Sequence, residues 1–301
     1  MIAIVSHDSG GAEILSSWLC HHQVPCCLVL DGPALHIFKR KLGAFEIHSL
    51  ERAIELSDWV LCGSSWQSDL EKQAISQAKV AGKKIIVFLD HWTNYLDRFQ
   101  LNGVTIFPDE IWVGDVNAKK IAQNIFPDIN VVLQPNLYFK DILDDLSGAQ
   151  NRPHNPKKCC VLYVCEPIRE HALLQYGDER YWGYTEEDAL EFFFHNLGAL
   201  GEIISEIKIR PHPSEIDGKY YWAKQKSSLV TETEGNKSLV EQIMEADVVV
   251  GCESMAMVIG LLAKKRVISS IPMGGKTCSL PHAEIEHLQA LVKKNQEILN
   301  A

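Results

Sequence analysis

Apolar runs of four to seven residues alternate with longer amphipathic stretches along most of the chain. The short runs predict strands at 2–6, 26–30, 59–62, 84–89, 110–113 and 131–133, and a second series at 159–165, 206–210, 229–231, 248–251 and 266–270. Between most of them, helical spacing of apolar residues predicts helices at 12–22, 67–81, 117–124, 186–198, 239–246, 255–263 and 284–299. The strands are rich in Val, Ile, Leu and Cys without strict polar alternation, which is the pattern of parallel strands covered on both faces. Strands and helices in turn mark an α/β chain built from βα units.

The pattern lapses over SGAQNRPHNPKK, residues 147–158, where polar residues and prolines replace it. This places a boundary between an N-terminal domain, 1–150, and a C-terminal domain, 151–301, each long enough to bury a core of its own. The expected arrangement is two Rossmann-like, doubly wound domains facing a cleft, with ligands met beyond the carboxyl ends of the strands.

A formal net charge of -10 argues against a broad nucleic-acid surface, so an anionic ligand has to be met locally. The opening MIAIVSHDSGG reaches polar residues too soon for a signal peptide or a membrane span, and no later segment is apolar for long enough to cross a bilayer. The nine cysteines sit mostly inside apolar runs and show no CxxC pair or Cys/His metal spacing, which reads as reduced core thiols in a cytoplasmic protein.

Candidate chemistry gathers where strands hand over to helices. In SHDSGGAEIL, residues 6–15, Gly10 and Gly11 permit a tight turn and a close approach to a ligand, and the helix start that follows suits phosphate or carboxylate. His7 and Asp8 stand where one of them can accept a proton from a hydroxyl. Otherwise Asp8 or Ser9 caps the helix. GxGxxG is absent, so a dinucleotide fingerprint is not supported. In FLDHWTNYLDRF, residues 88–99, Asp90 and His91 share that rim in a parallel sheet, and Trp92, Asn94, Tyr95 and Arg98 either line a sugar or base pocket or cap the core. Ser68 or Asp69 is expected to cap the next helix, with Ser64, Ser65 and Trp66 near a substrate.

In IKIRPHPSE, residues 207–215, prolines hold His212 on a stiff extended turn close to Arg210, two groups able to donate hydrogen bonds to phosphate. ADVVVGCESMAMVIG puts Glu253 and Ser254 at the start of another helix, where the glutamate either caps it or accepts the two hydroxyls of a sugar. CEPIRE places Glu166 at the end of the first strand of this half, with Arg169 close behind. IPMGGKT lacks the spacing of a P-loop.

The succession RPHP, then DVVVGCES, a helix and KRVIS resembles the donor domain of GT-B glycosyltransferases. The resemblance spans 159–272 and is nearest to bacterial enzymes of surface-polysaccharide assembly of the sialyl-, polysialyl- and Kdo-transferase type. It implies that His212 contacts a nucleotide phosphate and that Ser254 belongs to the serine-bearing turn, and Arg210, Glu166 and Glu253, read from their places at the strand ends, join them as donor-side candidates. The N-terminal half resembles only the general GT-B pattern, in which a glycine-bearing loop after the first strand, here with Gly10 and Gly11, faces the donor. That pattern also implies that Asp8, His7, Asp90 or His91 supplies the base. Glu253 stands before Ser254 where sialyltransferases favour hydroxyl pairs, a pattern nearer to users of uridine or other nucleotide sugars.

The expected activity is an inverting glycosyl transfer without a metal ion or bound cofactor, since no DxD motif appears between short strands. It would run from a nucleotide-sugar donor to a glycan or lipid-linked acceptor, with peripheral association at the inner face of the membrane, although no basic amphipathic anchor helix is evident. An epimerase or hydrolase of nucleotide sugars, and a non-catalytic nucleotide-sugar-binding scaffold, are the alternatives the same residues allow.

Overall fold

Strand β1 (Ile2–Ser6) is buried at every position, as a central parallel strand must be when both faces are covered by helices. In the computed structural model it is followed by β2 (Cys26–Leu30), β3 (Trp59–Cys62), β4 (Lys84–Leu89), the short strands β5 (Gln100–Leu101) and β6 (Val104–Thr105), β7 (Glu110–Val113) and β8 (Asn130–Leu133). Six of these form one parallel sheet in the order β2-β1-β3-β4-β7-β8. The second half repeats the plan with β9 (Cys159–Val164), β10 (Ile204–Arg210), β11 (Val230–Glu232), β12 (Val248–Gly251), β13 (Arg266–Ser269) and β14 (Glu286–His287), in the order β11-β10-β9-β12-β13-β14. The structure describes residues 1–66, 68–148, 158–232 and 237–299.

The chain divides into two compact units, Met1–Asp141 and Ile142–Ala301. The boundary expected from the sequence falls mainly on 149–157, outside the described residues. In each unit the path runs from the first strand to one side and then returns to the other, so the direction of winding switches beside β1 and beside β9. Sheets of this kind place their ligand sites beyond the carboxyl ends of the strands at that switch. In the N-terminal unit the residues singled out in the sequence lie on the segments that leave β1, β3 and β4 at those ends.

Both cores are made of large apolar side chains from strands and the inner faces of helices. In the N-terminal unit Leu15, Phe38, Leu61 and Phe88 are buried together with Trp18 and Trp112. In the C-terminal unit Phe193, on the helix Glu186–His195, packs against Tyr163 of β9 with ring centroids 5.3 Å apart. That helix begins with a capping box in which Thr185 and Asp188 satisfy each other's amides.

Several elements differ from expectation. The first helix begins at Ser9, three residues early, and the helix after β3 runs Leu70–Val80. The helices Pro33–Leu42, Leu50–Leu56, Leu137–Gly148 and Ile168–Tyr176, and the short helix Ala223–Lys226, are additions to those named from the sequence. The last helix begins only at Leu288, because Glu286 is held in β14 by the Arg266 guanidinium, which donates to both of its carboxylate oxygens at 2.7 and 2.9 Å. β5 and β6 form a hairpin closed by Asn102 and Gly103, both with positive φ, the geometry that an Asn-Gly pair favours. All nine cysteines are free, and six of them are buried. Among the described residues no helix is long and apolar enough to cross a membrane.

The Phe193 ring is fully buried, so Phe193→Ala is expected to lower the unfolding free energy of the C-terminal unit by about 3–5 kcal/mol. Urea unfolding followed by hydrogen exchange tests this, with protection lost first in β9, β10 and the helix Glu186–His195.

Candidate functional site

The paired glycines of the N-terminal unit do not form a turn. Gly10 and Gly11 lie in the first turn of the helix Ser9–His22, and they admit other groups by having no side chain. A Cβ on Gly10 would fall 2.0 Å from Asp90 Oδ2, and one on Gly11 would fall 3.2 Å from the Cα of Gly63. The helix start is thereby pressed against the ends of β3 and β4.

Asp90 is almost buried in this contact. Its Oδ1 accepts a 2.7 Å bond from Arg98 Nη1 and a 3.0 Å bond from the Ser64 hydroxyl. Arg98 is itself buried and also donates to the Ser64 carbonyl at 2.7 Å and to Thr93 O at 3.2 Å. Arg98 therefore belongs to the frame of the rim and not to the wall of a sugar pocket. Trp92 and Tyr95 are also core residues, the indole donating to Asp115 at 2.9 Å and the phenol ring stacked on Phe126. Asn94 adopts positive φ in the same loop. Ser64 and Ser65 are buried, and the Ser65 hydroxyl accepts the Ser68 amide at 2.8 Å. Ser68 in turn accepts the amide of Leu70, while Asp69 at the cap position pairs with Lys72 at 3.1 Å and not with the helix. His91 sits next to Thr93 Oγ1, 3.1 Å from its Nδ1.

His7 and Asp8 are differently placed. The His7 imidazole meets Asp8 Oδ1 through Nδ1 at 2.7 Å, and both side chains keep about a fifth to a quarter of their surface exposed. Asp8 occupies the cap position of the first helix with extended backbone, yet its carboxylate faces His7 and leaves the helix uncapped. The Nε2 edge of His7 lies over Gly32, where a Cβ would fall 2.6 Å away and where φ is +53°. The main-chain amide of His7 donates to Glu71 Oε1 at 2.7 Å. Glu71 went unnoticed in the sequence because an acid in the first turn of a helix reads as an ordinary dipole partner.

In the C-terminal unit the ends of β9, β10 and β12 carry the expected groups. Glu166 Oε1 crosses the switch point to accept the amides of Cys252 and Glu253 at 3.2 and 2.8 Å. Ser254 caps the helix Met255–Leu262, its hydroxyl accepting the Ala256 amide at 3.1 Å. Glu253 is engaged within its own unit. One oxygen accepts from the Ser279 amide and hydroxyl at 3.0 and 2.8 Å, and the other meets the Lys276 ammonium, which lies 4.3 Å above the Trp182 ring. Its carboxylate thus shapes the turn and is not open to a sugar diol here.

The stiffness of the His212 turn has a second cause besides its prolines. The buried carboxylate of Glu215 accepts the His212 amide at 2.8 Å, the Tyr220 hydroxyl at 2.7 Å and the Lys219 ammonium at 2.9 Å. Lys219 also joins Glu170 and Glu186, so the carboxylates whose spacing would suit a metal ion already enclose a cation. Because the Ser214 amide donates to His212 Nδ1 at 3.2 Å, the imidazole proton is assigned to Nε2. Burial lowers the His212 pKa, and Glu215 opposes this in part. The result is a neutral imidazole with its N–H on the outer nitrogen. Arg210 is half-buried and donates to the Lys237 carbonyl at 3.3 Å, while Arg169 turns away to Glu187 at 2.7 Å.

No protein-family model matches the chain, and no curated protein matches it in sequence. Among solved structures, it is similar to the UDP-GlcNAc 2-epimerase of Methanocaldococcus jannaschii in complex with UDP-GlcNAc and UDP, with a TM-score of 0.62 at 11% identity over 100% of this chain and 93% of that one. The Neisseria meningitidis enzyme bound to UDP-GlcNAc gives 0.61 at 9% identity over 99% and 91%. MurG from Acinetobacter baumannii gives 0.50 at 11% over 99% and 90%. The chain has the GT-B fold. This agrees with the fold implied by the RPHP and CES motifs, while the sialyl- and Kdo-transferase likeness gains no support, since these neighbours are UDP-GlcNAc 2-epimerases and MurG.

Two carboxyls at the switch points hold their protons unusually well. Burial, then the charge of Asp8, pushes Glu71 up to about 7, and burial, then the charge of Glu253, pushes Glu166 up to about 7. Below its ordinary value of 4.5, Glu71 is protonated whether the chain is folded or not. Between 4.5 and about 7 the unfolded chain loses a proton that the folded protein keeps, so stability falls as pH rises through that window. Glu71→Gln removes this contribution, on the order of 3 kcal/mol. Urea midpoints across a pH series are expected to fall less steeply for the variant than for the wild type.

Proposed function

We propose that the protein is an enzyme acting on a nucleotide sugar, with the nucleotide phosphate bound on the C-terminal unit. The observation that carries this reading is the His212 turn. Its amide and Nδ1 are both engaged within the turn, so Nε2–H remains as a rigid, uncharged donor at the end of β10. The start of the helix Met255–Leu262 and the amides around Ser254 favour an anion in the same unit. Glu166, with its proton held to about 7, donates a hydrogen bond to a phosphate oxygen where an ionised carboxylate would repel it. Arg210 adds positive charge at the end of the same strand.

The reaction proposed is glycosyl transfer with inversion and without a metal ion. His7, oriented by Asp8, takes the proton of an acceptor hydroxyl, as a histidine held by a carboxylate is suited to do. Asp90 and Gly10 support this pair by fixing the helix start, and His91 stands further along the rim. Helix-start amides and the His212 donor stabilise the departing nucleotide phosphate. The acceptor is taken to be a glycan or a lipid-linked glycan, which would bring the protein to a membrane surface.

A second reading makes the sugar itself the centre of the chemistry, as in an epimerase or hydrolase. It is favoured by the likeness to UDP-GlcNAc 2-epimerases over nearly the whole chain. Product analysis with UDP-GlcNAc separates the two. A transferase releases UDP only when an acceptor is present, a hydrolase releases it into water, and an epimerase yields a new sugar epimer.

In both readings His212→Ala is expected to weaken UDP-GlcNAc binding by about tenfold or more, the loss of a hydrogen bond worth roughly 1.5 kcal/mol to a charged group. Calorimetric titration measures it. Unchanged affinity, together with an unchanged melting temperature across UDP, GDP, CMP and their sugars, would remove the nucleotide site from this turn. Chelation by EDTA is expected to leave turnover intact.

A further inference from the structure

We propose that Glu71 is the positioning residue of the His7–Asp8 pair: reaching in from the helix after β3, its carboxylate holds the main chain of His7 and so keeps the imidazole seated between Asp8 and Gly32. This rests on the reading of that pair as the proton acceptor.

Glu71 is 1% exposed, and among the described residues its one hydrogen bond to another element runs from the His7 amide to Oε1. Among the described residues its other oxygen is buried without a partner, and so is the hydroxyl of Ser6, the residue before His7. Ser6 Oγ and Glu71 Oε1 both border the space beside Gly63, 3.3 and 3.8 Å from where a Cβ on that glycine would stand. A buried carboxyl with an unmatched oxygen is a poor choice for stability alone, because each unpaired polar atom costs roughly 1–3 kcal/mol. What it secures is the position of one amide.

The surroundings leave that position little slack. Gly11 and Gly63 meet backbone to backbone beside Ser6, and Gly32 closes over the far edge of the imidazole. The titratable groups acting on Glu71 are Asp8, His7 and the Cys62 thiol, and burial with the charge of Glu71 pushes that thiol up. Without the Glu71 anchor, His7 N–H loses its acceptor and the strand end is free to shift. A displacement of about 1 Å in a proton-accepting group lowers turnover by roughly a hundredfold.

The test compares Glu71→Leu, Glu71→Asp and Glu71→Gln in the full-length protein, with UDP-GlcNAc as probe. Gln keeps an acceptor at the same reach, whereas Asp keeps the carboxyl group but falls a methylene short. Leu and Asp are expected to lower kcat about 10–100-fold with KM for UDP-GlcNAc within about twofold, and to speed hydrogen exchange at the His7 amide. Gln is expected to recover most of the kcat and the protection. Wild-type kcat in both Leu and Asp, a parallel loss of affinity, or a Gln variant as poor as Asp overturns the proposal. His7→Ala and Asp8→Asn are assayed alongside. If they turn over normally, the pair is not the base and the role of Glu71 falls with it. If they are inactive while Leu and Asp are not, only the positioning role fails.

Discussion

The loops at the carboxyl ends of both sheets depend on one interaction, a buried glutamate that accepts main-chain amides. A parallel strand satisfies its N–H groups through its neighbours, but the first residues beyond its end have no ladder and still cannot be left unpaired in a buried place. Glu71 accepts the amide of His7, Glu166 accepts those of Cys252 and Glu253, and Glu215 accepts that of His212. The positions of His7, the 252–254 turn and His212 therefore follow from carboxyl side chains anchored elsewhere in the fold. Charge taken from water has to be compensated. Glu215 gathers an ammonium and a hydroxyl as well as the amide, whereas Glu71 and Glu166 receive amides and retain their protons to about 7.

The second constraint is the missing Cβ at Gly10. Asp90 Oδ2 lies where that atom would be, and Asp90 is fixed in turn by Arg98 and Ser64. The start of the first helix, the end of β3 and the loop after β4 are thus one assembly. His7 and Asp8 precede the helix directly, so their geometry is inherited from contacts made some eighty residues later in the chain.

This explains which parts of the structure were legible in the sequence. Strand positions were, since parallel strands buried on both faces read as unbroken apolar runs; β1, β2, β3, β4, β7 and β12 begin and end where those runs do. The alternation of strand and helix was enough for two Rossmann-like units. β14 was not legible, because two polar residues form it and an ion pair with Arg266 holds it. Nor was the hairpin at Asn102–Gly103 read, although its turn signal is present. At the candidate site, the sequence located the strand ends but not what each side chain does there. DSGG reads as a turn until Asp90 is seen against it. Glu253 reads as a sugar ligand until Lys276 and Ser279 are found on its carboxylate. Such partners lie far away in sequence, and local pattern carries no information about them.

The C-terminal turn also restricts how an anion could be accommodated. The charge of Glu253 raises the cost of ionising Glu166, and the Lys276 ammonium beside Glu253 offsets part of that cost. A phosphate arriving at the helix start would add negative charge to this group and hold the Glu166 proton more firmly still, because each nearby anion disfavours the ionised carboxyl. Phosphate binding and proton retention at Glu166 would then strengthen each other, as linkage requires of two sites that share one electrostatic term. Under this argument the neutral His212 N–H is well suited to its place. A donor without a full charge would grip a phosphate without drawing the proton off Glu166, and Arg210 would add positive charge from the end of the same strand.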